Sequence, residues 1–407
     1  MVSPQLAIVY NIFRCRSVTR RDLGEQTGMS AAYVSQQVSH LMDRQLVREQ
    51  VPQDGTPGRP AALLSVNPDL GLVVGLDIGG RHSRAVLTDL TGRVQASVIQ
   101  RTSPVPDQTV IVDGLVRLVE TVCAEGNVET HDLAALGVGL AGIVNTRTGV
   151  VLGWPNTPSW AEGWIGLDVP AALGSRLGIE PILVDDVVRA LGANAQRFGA
   201  AQNSRNFLYV FLGNGIGSGI FVDGHPYVGS SGIAGELGHV TVDENGPWCS
   251  CGNRGCLEMM ASTSAILRRA RERLSEPRLV SRLREAHEKD TLTLAGVIEA
   301  AQAGDKLAYQ ILDEAGTYVG QVLTIALNLL GPELVVLGGP LAQGDTIILD
   351  AVQRQVRLHA LQQISKGTRI VCDDQGELAG AHGAAVLVLD ALFGSQEYVD
   401  RLLNLGQ

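Results

Sequence analysis

The chain of 407 residues contains the stretch Glu236-Leu-Gly-His239, followed after nine residues by Cys249-Ser-Cys251-Gly-Asn-Arg-Gly-Cys256-Leu-Glu258. One imidazole and three thiols fall within eighteen residues, and Zn²⁺ favours tetrahedral sites of four such ligands. Gly252 and Gly255 lie between the thiols, where the chain must fold back tightly around an ion. Cysteines that cluster without a metal are the alternative interpretation. We predict a structural Zn²⁺ ion held by His239, Cys249, Cys251 and Cys256.

Two acidic residues, Glu236 and Glu258, flank the predicted metal ligands. A carboxylate is a charged hydrogen-bond acceptor, and such acceptors suit the hydroxyl groups of a polyol. The metal needs only one side of this segment, so we expect both carboxylates to bind a ligand beside the ion. The sequence therefore predicts a structural metal site whose neighbours hold a polar molecule.

The composition limits the classes of protein to which the chain can belong. Its length allows two or three domains with a sizeable core. A formal net charge of −10 argues against general affinity for nucleic acid or anionic membranes, yet residues 1–60 hold seven arginines against five acidic residues. We find no secretory signal and no run approaching the ~18–20 apolar residues of a membrane helix. The scattered Cys15, Cys123 and Cys372 suit a reducing compartment, so we expect a cytoplasmic protein with no membrane association.

The first seventy residues predict three helices followed by two short strands. Apolar residues repeat at helical spacing in the first helix, Thr19 has the position of an N-cap for the second, and Ser30 caps the third. A Gly- and Pro-containing loop at 54–60 separates the two strands. This order is typical of a winged helix-turn-helix over residues 1–70, in which one helix enters the DNA major groove.

The outer face of the predicted third helix is polar and contains two glutamines. Glutamine can pair with adenine through two hydrogen bonds, and arginine inserts into narrow A·T-rich minor grooves. The candidate DNA contacts are Ser30, Ala31, Tyr33, Ser35, Gln36, Gln37 and His40 on this helix and Arg59 in the loop. Because the net charge of the segment is small, two copies are needed to gain affinity for operator DNA. A unit that serves only protein contacts is the alternative.

Four predicted strands of the remaining chain run into glycine turns, near Gly79, Gly142, Gly213 and Gly338. Such turns expose backbone N–H groups that can cradle phosphate, although a plain tight turn explains each one equally well. In this order, together with Gly215-Ile-Gly-Ser-Gly219, Glu-x-Gly-His and Cys-x-Cys-Gly-x-x-Gly-Cys-x-Glu, the segments resemble the ROK family (repressors, open reading frames and kinases). The resemblance covers essentially the whole chain.

The resemblance implies a two-lobed α/β sugar-kinase/actin-like ATPase fold preceded by an N-terminal winged helix-turn-helix. It assigns residues 71–407 to an effector-binding domain that contains the zinc site. It also implies a sugar pocket, formed by Asn156, Asp186, Glu236, His239 and Glu258. His239 could serve both sites, since its two ring nitrogens are distinct, whereas Asn156 could instead be a plain turn residue.

The sequence departs from the family's kinases at positions that matter for phosphoryl transfer. That reaction needs a carboxylate base near the sugar hydroxyl, but alignment on the residues downstream places Val187 there. A shift by one residue would restore Asp186 and break the downstream match. Arg81 replaces a threonine that faces phosphate, and Ala141 replaces a proline. We therefore expect a protein that binds sugar and is not an enzyme.

These features together predict a sugar-responsive transcriptional regulator, with repression as the expected sign of control. Sugar bound between the lobes would favour one lobe arrangement and so change the affinity for DNA. We expect a homodimer or a dimer of dimers on palindromic operator DNA, with helices of residues 290–330 in the core and at the interface. Two alternatives remain open: an active ROK sugar kinase with a DNA-binding domain, and a regulator controlled by a protein partner.

Overall fold

The structure is a computed structural model, and it describes residues 3–50, 62–154, 159–343 and 346–405. The N-terminal part contains three helices and a two-stranded antiparallel sheet. These elements are α1 (Pro4–Cys15), α2 (Arg20–Thr27), α3 (Ala31–Asp43), β1 (Val47–Gln50) and β2 (Leu63–Val66).

The helix starts of this part follow from polar capping residues. Thr19 and Asp22 form a reciprocal capping box at the start of α2, and Ser30 caps α3. Gly28 ends α2 with a φ of 69°, a left-handed conformation that glycine adopts without steric cost. The predicted helices and strands of the helix-turn-helix are confirmed, while the predicted wing loop at 54–60 lies outside the described residues.

A first five-stranded sheet and its helices follow. Its elements are β3 (Leu72–Ile78), β4 (His82–Asp89), β5 (Val94–Arg101), α4 (Gln108–Glu125), β6 (Leu133–Leu140), β7 (Ile143–Asn145), β8 (Val150–Gly153), α5 (Val169–Leu177), β9 (Ile182–Asp186) and α6 (Val187–Phe198). The strand order is β5-β4-β3-β6-β9. Pairing is antiparallel from β5 to β3 and parallel from β3 to β9, while β7 and β8 form a separate hairpin.

The second half of the chain repeats this arrangement. Its elements are β10 (Phe207–Leu212), β11 (Ile216–Val222), β12 (His225–Pro226), α7 (Leu257–Ala261), α8 (Thr263–Leu274), α9 (Arg284–Glu288), α10 (Leu294–Gln302), α11 (Lys306–Leu330), β13 (Leu334–Gly338), α12 (Thr346–His359), α13 (Gln362–Gly367), β14 (Arg369–Cys372), α14 (Ala379–Phe393) and α15 (Gln396–Leu405). The strand order is β12-β11-β10-β13-β14. Pairing is antiparallel from β12 to β10 and parallel from β10 to β14, as in the first sheet.

One helix of each half packs on the sheet of the other half. α6 follows the first sheet, yet its inner face shares a buried cluster with Phe221 of the second. α14 follows the second sheet and packs so closely on β3 that a Cβ on Gly75 would overlap the backbone of Ala381. The two helices also touch, since a Cβ on Gly383 would overlap the backbone of Ala190. Both helices therefore join the two halves.

Two sheets of equal strand order, each with helices packed on it, form two α/β lobes. This confirms the predicted two-lobed fold. The three N-terminal helices share one buried cluster with β3, β4, α14 and α15, so the helix-turn-helix packs directly on the first lobe. Among the described residues, no helix is both long enough and apolar enough to cross a membrane.

Candidate functional site

The four metal-ligand candidates come together in one cluster: His239, Cys249, Cys251 and Cys256. Their donor atoms all lie within 4.8 Å of one another. Cys249 Sγ lies 3.6 Å from His239 Nδ1, and Cys251 Sγ lies 3.6 Å from Cys256 Sγ. A tetrahedral Zn²⁺ ion with its usual bond lengths separates neighbouring ligand atoms by about 3.5–3.8 Å. The donor set and its spacing therefore fit a four-coordinate metal ion.

A tight loop brings the thiols into this cluster. Gly252 and Gly255 have positive φ angles of 92° and 61°, and a Cβ on Gly255 would overlap the backbone of Asp243. Cys256 then lies directly before α7, and Glu258 is the second residue of that helix. The loop that gathers the thiols therefore also fixes the position of this carboxylate.

His239 lies between the thiols and the carboxylate of Glu236. Its Nδ1 faces Cys249, while its Nε2 lies 3.8 Å from Glu236 Oε2. The two ring nitrogens thus face different groups, as a histidine shared between a metal and a polar ligand requires.

Glu258 lies beside Glu236 and is buried. It accepts a hydrogen bond from the amide of Ile216 over 2.9 Å, and a Cβ on Gly215 would come within 3.0 Å of its Oε2. The glycine turn before β11 therefore wraps this carboxylate closely. Burial raises the pKa of Glu236, and the charge of Glu258 contributes in the same direction.

Asp186 ends β9 and caps α6, where its carboxylate accepts a hydrogen bond from the Val188 amide over 2.5 Å. Burial raises the pKa of Asp186 to about 7; Arg189 opposes this shift, and Asp185 and Glu236 add to it. Arg189 binds both Asp185 and the carbonyl of Ala234, two residues before Glu236, so the segments that carry the two carboxylates lie side by side. At neutral pH Asp186 is partly protonated, so it can donate as well as accept a hydrogen bond.

A buried ion pair that the sequence analysis did not single out supports these carboxylates. Arg189 Nε donates to Asp185 Oδ1 over 2.5 Å, and both side chains are buried. The other guanidinium nitrogens donate to the carbonyls of Gly232 and Ala234 at 3.0 and 3.1 Å. Arg189 thereby ties α6 to the segment that leads into Glu236. The spacing of four residues between Asp185 and Arg189 was the available sequence signal.

A second set of charged residues lies where β3 ends, just before Arg81 in the chain. Arg84 contacts Asp77 at 3.5 Å and Glu377 at 3.0 Å. Burial raises the pKa of Asp77 to about 6, and Arg84 opposes the shift. Arg81, which the sequence analysis weighed for this place, is exposed. Arg84 lies directly opposite Asp77 in the β3–β4 pairing, and the register of that hairpin could have identified it.

Three further positions were singled out in the sequence for sugar binding or phosphoryl transfer, and the structure describes two of them. Val187 is the first residue of α6 and follows Asp186 directly. Ala141 lies directly after β6 and is exposed. Asn156, the predicted amide contact to sugar, lies outside the described residues, so its role stays a prediction.

The predicted DNA contacts of α3 lie on the side away from the core. Val34, Val38 and Leu41 are buried on the inner side of the helix. Tyr33 and Gln37 are half-buried. The exposed candidates are Ser30, Ala31, Ser35, Gln36 and His40. Arg59 lies outside the described residues, so the minor-groove contact stays a prediction.

The arginines of the first sixty residues contribute less to a DNA surface than their number suggests. Those with partners inside the protein are Arg14 (Asp390), Arg16 (the carbonyl of Arg197), Arg20 (Glu49), Arg21 (Glu25) and Arg48 (Asp69). Two of them, Arg14 and Arg16, contact the lobes instead of facing away from them. The low surplus of positive charge strengthens the argument that one copy alone binds DNA weakly.

A model of the ROK family matches residues 73–391. The chain belongs to the ROK family. The resemblance stated from the sequence is thereby confirmed, and the match extends over both lobes.

Two ROK relatives match nearly the full length of the chain. It is 27% identical over 389 residues to the xylose repressor of Bacillus subtilis (strain 168), which covers 95% of this chain and 94% of the repressor. It is 28% identical over 392 residues to the DNA-binding transcriptional repressor Mlc of Escherichia coli (strain K12), which covers 95% of this chain and 92% of Mlc.

Solved ROK structures separate into two kinds by coverage. A ROK transcriptional regulator, described as a homolog of the E. coli MLC protein, matches 98% of this chain and 99% of its own at a TM-score of 0.82 and 24% identity, which shows the fold alone. A ROK glucokinase from Streptomyces griseus, in complex with glucose and AMPPNP, matches 99% of its own length but 78% of this chain, with a TM-score of 0.65 and 28% identity. The kinase leaves part of this chain without a counterpart.

Proposed function

We propose that this ROK protein is a sugar-responsive transcriptional repressor, which binds operator DNA and binds a sugar without phosphorylating it. The observation that carries the proposal is the convergence of three segments that bear carboxylates. Arg189 joins the segment of Asp185 and Asp186 to the one before Glu236, Glu236 lies beside His239, and Glu258 follows the thiol loop on α7. Each sugar hydroxyl donates a hydrogen bond, and a group of carboxylates supplies several acceptors within a small space. The full-length likeness to the xylose repressor and to Mlc supports the regulatory part of the proposal.

In this proposal the chain has no phosphoryl-transfer activity. Val187 cannot accept the proton of a sugar hydroxyl, and Asp186 already binds the amide of Val188 as a helix cap. At the other end of the cleft, Arg84 pairs with Asp77, where the family's kinases face phosphate. We therefore expect no sugar-dependent hydrolysis of ATP. Turnover of ATP that requires a sugar would favour the kinase alternative.

We propose that the thiol cluster holds a structural Zn²⁺ ion. When bound, zinc supplies a fixed tetrahedral link between His239 and the loop of residues 249–256. His239 would bind through Nδ1, which leaves Nε2 directed towards Glu236 and the sugar. Asn156 is proposed as a further sugar contact, in keeping with its place in the ROK motif.

We propose that α3 enters the major groove with its exposed face and that Arg59 reaches the adjacent minor groove. Two copies would bind a palindromic operator. An exposed apolar patch supports a homodimer, because such patches mark interaction surfaces. Its members are Ile325, Leu329 and Leu330 at the end of α11, with Leu358 and Leu361 beside them. The Leu361 amide donates to Asn328 Oδ1 over 3.0 Å, so the two segments form one surface.

The proposal includes two further points that rest on the sequence. The chain is divided into a DNA-binding domain at 1–70 and an effector-binding domain at 71–407. We also place the protein in the cytoplasm, because its six cysteines, all in the described residues, form no disulfide and suit a reducing compartment.

Two measurements test the proposal. The melting temperature of the protein is measured with a panel of sugars and sugar phosphates, and operator binding is then measured with any sugar that raises it. A ligand that binds only the folded state raises the melting temperature. We expect one sugar to raise it and to weaken operator binding at the same concentrations. Operator binding that no carbohydrate alters would overturn the sugar-responsive role and favour control by a protein partner.

A further inference from the structure

Helix α6 is attached to the candidate sugar site at its N-terminal end. Asp186 caps the helix, and Arg189 on its first turn binds Asp185 and the carbonyls of Gly232 and Ala234. Those carbonyls belong to the segment before Glu236. A ligand that moves either carboxylate, Asp186 or Glu236, therefore acts directly on the start of α6.

The other end of α6 is joined to α1 of the helix-turn-helix by two arginines, Arg16 and Arg197, which we call the arginine clasp. Arg197 Nη1 donates to the carbonyl of Phe13 over 2.5 Å and lies 3.4 Å from that of Arg14. In return, Arg16 Nη1 donates to the carbonyl of Arg197 over 2.9 Å. The last carbonyls of a helix lack partners within it, and a cation there is favourable. Each arginine thus caps the C-terminal end of the other's helix.

Aromatic rings complete the clasp. The Arg197 guanidinium lies 4.4 Å from the ring centre of Phe13, and that of Arg16 lies 4.6 Å from Phe198. Burial, followed by repulsion from Arg16 and Arg14, lowers the pKa of Arg197 to about 9, so the group stays charged at neutral pH. Arg197 is 8% exposed, whereas Arg16 is exposed. Arg16 is therefore the member that can be replaced without opening the core.

A separate contact joins α1 to α14. Phe13 stacks on Phe393 at 4.5 Å, and Arg14 pairs with Asp390 at 3.1 Å. α1 is thus held by both helices that connect the lobes. Phe13 takes part in both contacts, whereas the Arg16 side chain binds α6 and the Arg14 side chain pairs with α14, so the two arginines separate the contacts. This separation allows the contribution of each helix to be measured by itself.

We infer that the arginine clasp couples the sugar site to the DNA-binding helices, with α6 as the rigid connection between them. The inference rests on the proposed function, since it names the route of that regulation. A helix of 12 residues spans about 18 Å, so a small tilt at its capped start displaces the carbonyls and guanidinium at its end. If the hydrogen bonds of the clasp form well in only one arrangement of the lobes, the DNA-binding helices are held differently in that arrangement. The two arrangements then differ in affinity for DNA.

The test compares Arg16→Gln with Arg14→Gln in the full-length protein, using the sugar found in the melting screen. Operator affinity is measured without sugar and with saturating sugar, and sugar affinity is measured by calorimetry. For Arg16→Gln we expect sugar affinity and sugar-free operator affinity within about twofold of the wild type. We expect its sugar-induced loss of operator affinity, normally about 5–150-fold for allosteric coupling, to fall close to onefold. Arg14→Gln removes the ion pair with α14 and the hydrogen bond to the carbonyl of Gly224, keeps both hydrogen bonds of the clasp, and should keep the response.

Arg197→Lys provides a second reading from the α6 side of the clasp, because lysine keeps the charge but lacks the forked donors. It should bind sugar and show the same reduced response. A normal response in Arg16→Gln would overturn the inference, as would an equal loss in Arg14→Gln, which would indicate general loosening of α1. Failure of the wild type to release operator with any sugar would instead overturn the proposed function.

Discussion

His239 separates two groups of polar side chains that differ in origin and in charge. The thiols on its Nδ1 side come from one loop of eight residues, 249–256, and fit a cation. Glu236 lies on its Nε2 side, and the candidate sugar site adds Asp186 from the end of β9 and Glu258 from α7, so the fold holds like charges together. A metal bound on the first side would stabilise the folded protein. The second side keeps a repulsion that a hydroxyl-rich ligand can relieve, so it is suited to a reversible response.

The largest effect is expected from the thiol side. Cys249→Ser should remove the metal and lower the free energy of unfolding by about 5 kcal/mol, because a structural site contributes to folding. For a chain of this size, with about 2.1 cal/mol/K of unfolding entropy per residue, that corresponds to about 6 °C in melting temperature. Metal content and melting temperature are the measurements, with Cys372→Ser as the control thiol outside the cluster. Full metal content in Cys249→Ser would contradict the ligand assignment.

On the carboxylate side, the largest effect should come from Glu258→Gln. A hydrogen bond to a charged group is worth about 1.5–3 kcal/mol, so we expect sugar affinity to fall roughly 10- to 100-fold. Operator binding without sugar should stay unchanged, because Glu258 packs against β11 of the second sheet whereas the helix-turn-helix packs on the first lobe. Calorimetry with the identified sugar measures the effect, and Glu244→Gln, an exposed carboxylate outside the pocket, is the control. Wild-type affinity in Glu258→Gln would remove this residue from the sugar site.

Glu236→Gln should have a smaller effect of the same kind. The Glu236 side chain is 39% exposed, so water competes for its hydrogen bonds, and we expect a loss of roughly three- to tenfold in sugar affinity. The ratio of the losses in sugar affinity caused by Glu258→Gln and Glu236→Gln shows which carboxylate lies nearer to the centre of the sugar pocket. A greater loss in Glu236→Gln than in Glu258→Gln would place the sugar nearer to the open side of the cleft.

The carboxylate side should also produce a pH dependence of stability, due to Asp186. Its pKa is about 7 in the folded protein and about 3.9 when unfolded, so its stabilising contribution is complete below pH 4 and is lost as the pH rises to 7. Asp186→Asn keeps a good helix cap and does not ionise. The melting temperature of this variant, minus that of the wild type, should therefore increase between pH 5 and pH 8.

Asp168→Asn replaces a helix cap at the exposed start of α5 and serves as the matched control for this measurement. A difference between Asp186→Asn and the wild type that stays constant with pH would show that Asp186 is not a buried titrating group. In that case the carboxylates would repel one another less than their convergence implies.

The sequence was sufficient where the structure depends on neighbours in the chain. Cys-x-Cys-Gly-x-x-Gly-Cys predicts its own cluster, since three ligands and the turn between them lie in eight residues. The caps at Thr19 and Ser30 likewise act within three residues. The two-lobed fold was reached through the family resemblance, because no local pattern states which strands of a sheet are neighbours.

Contacts between distant segments could not be predicted in this way. Arg197 and Phe13 are 184 residues apart, and nothing in either segment indicates the other. The pairing of Arg84 with Asp77 could have been predicted from the register of the β3–β4 hairpin. Arg81 was considered instead, because it replaces a threonine that faces phosphate in the family's kinases. Arg189 was used to align the chain with the family's kinases. Only the structure shows that it holds the segment before Glu236, through hydrogen bonds to the carbonyls of Gly232 and Ala234.

The two helices that connect the lobes end in the same way, with Phe198 before Gly199 and Phe393 before Gly394. Since the two halves share one strand order, these aromatic ends are corresponding points of a repeated design, and α1 contacts both. A movement that carries the halves together leaves the separation of such points unchanged, whereas rotation of one half against the other alters it. The DNA-binding segment is thus attached at two points whose separation changes when one half rotates against the other. Their separation stays the same when both halves move together.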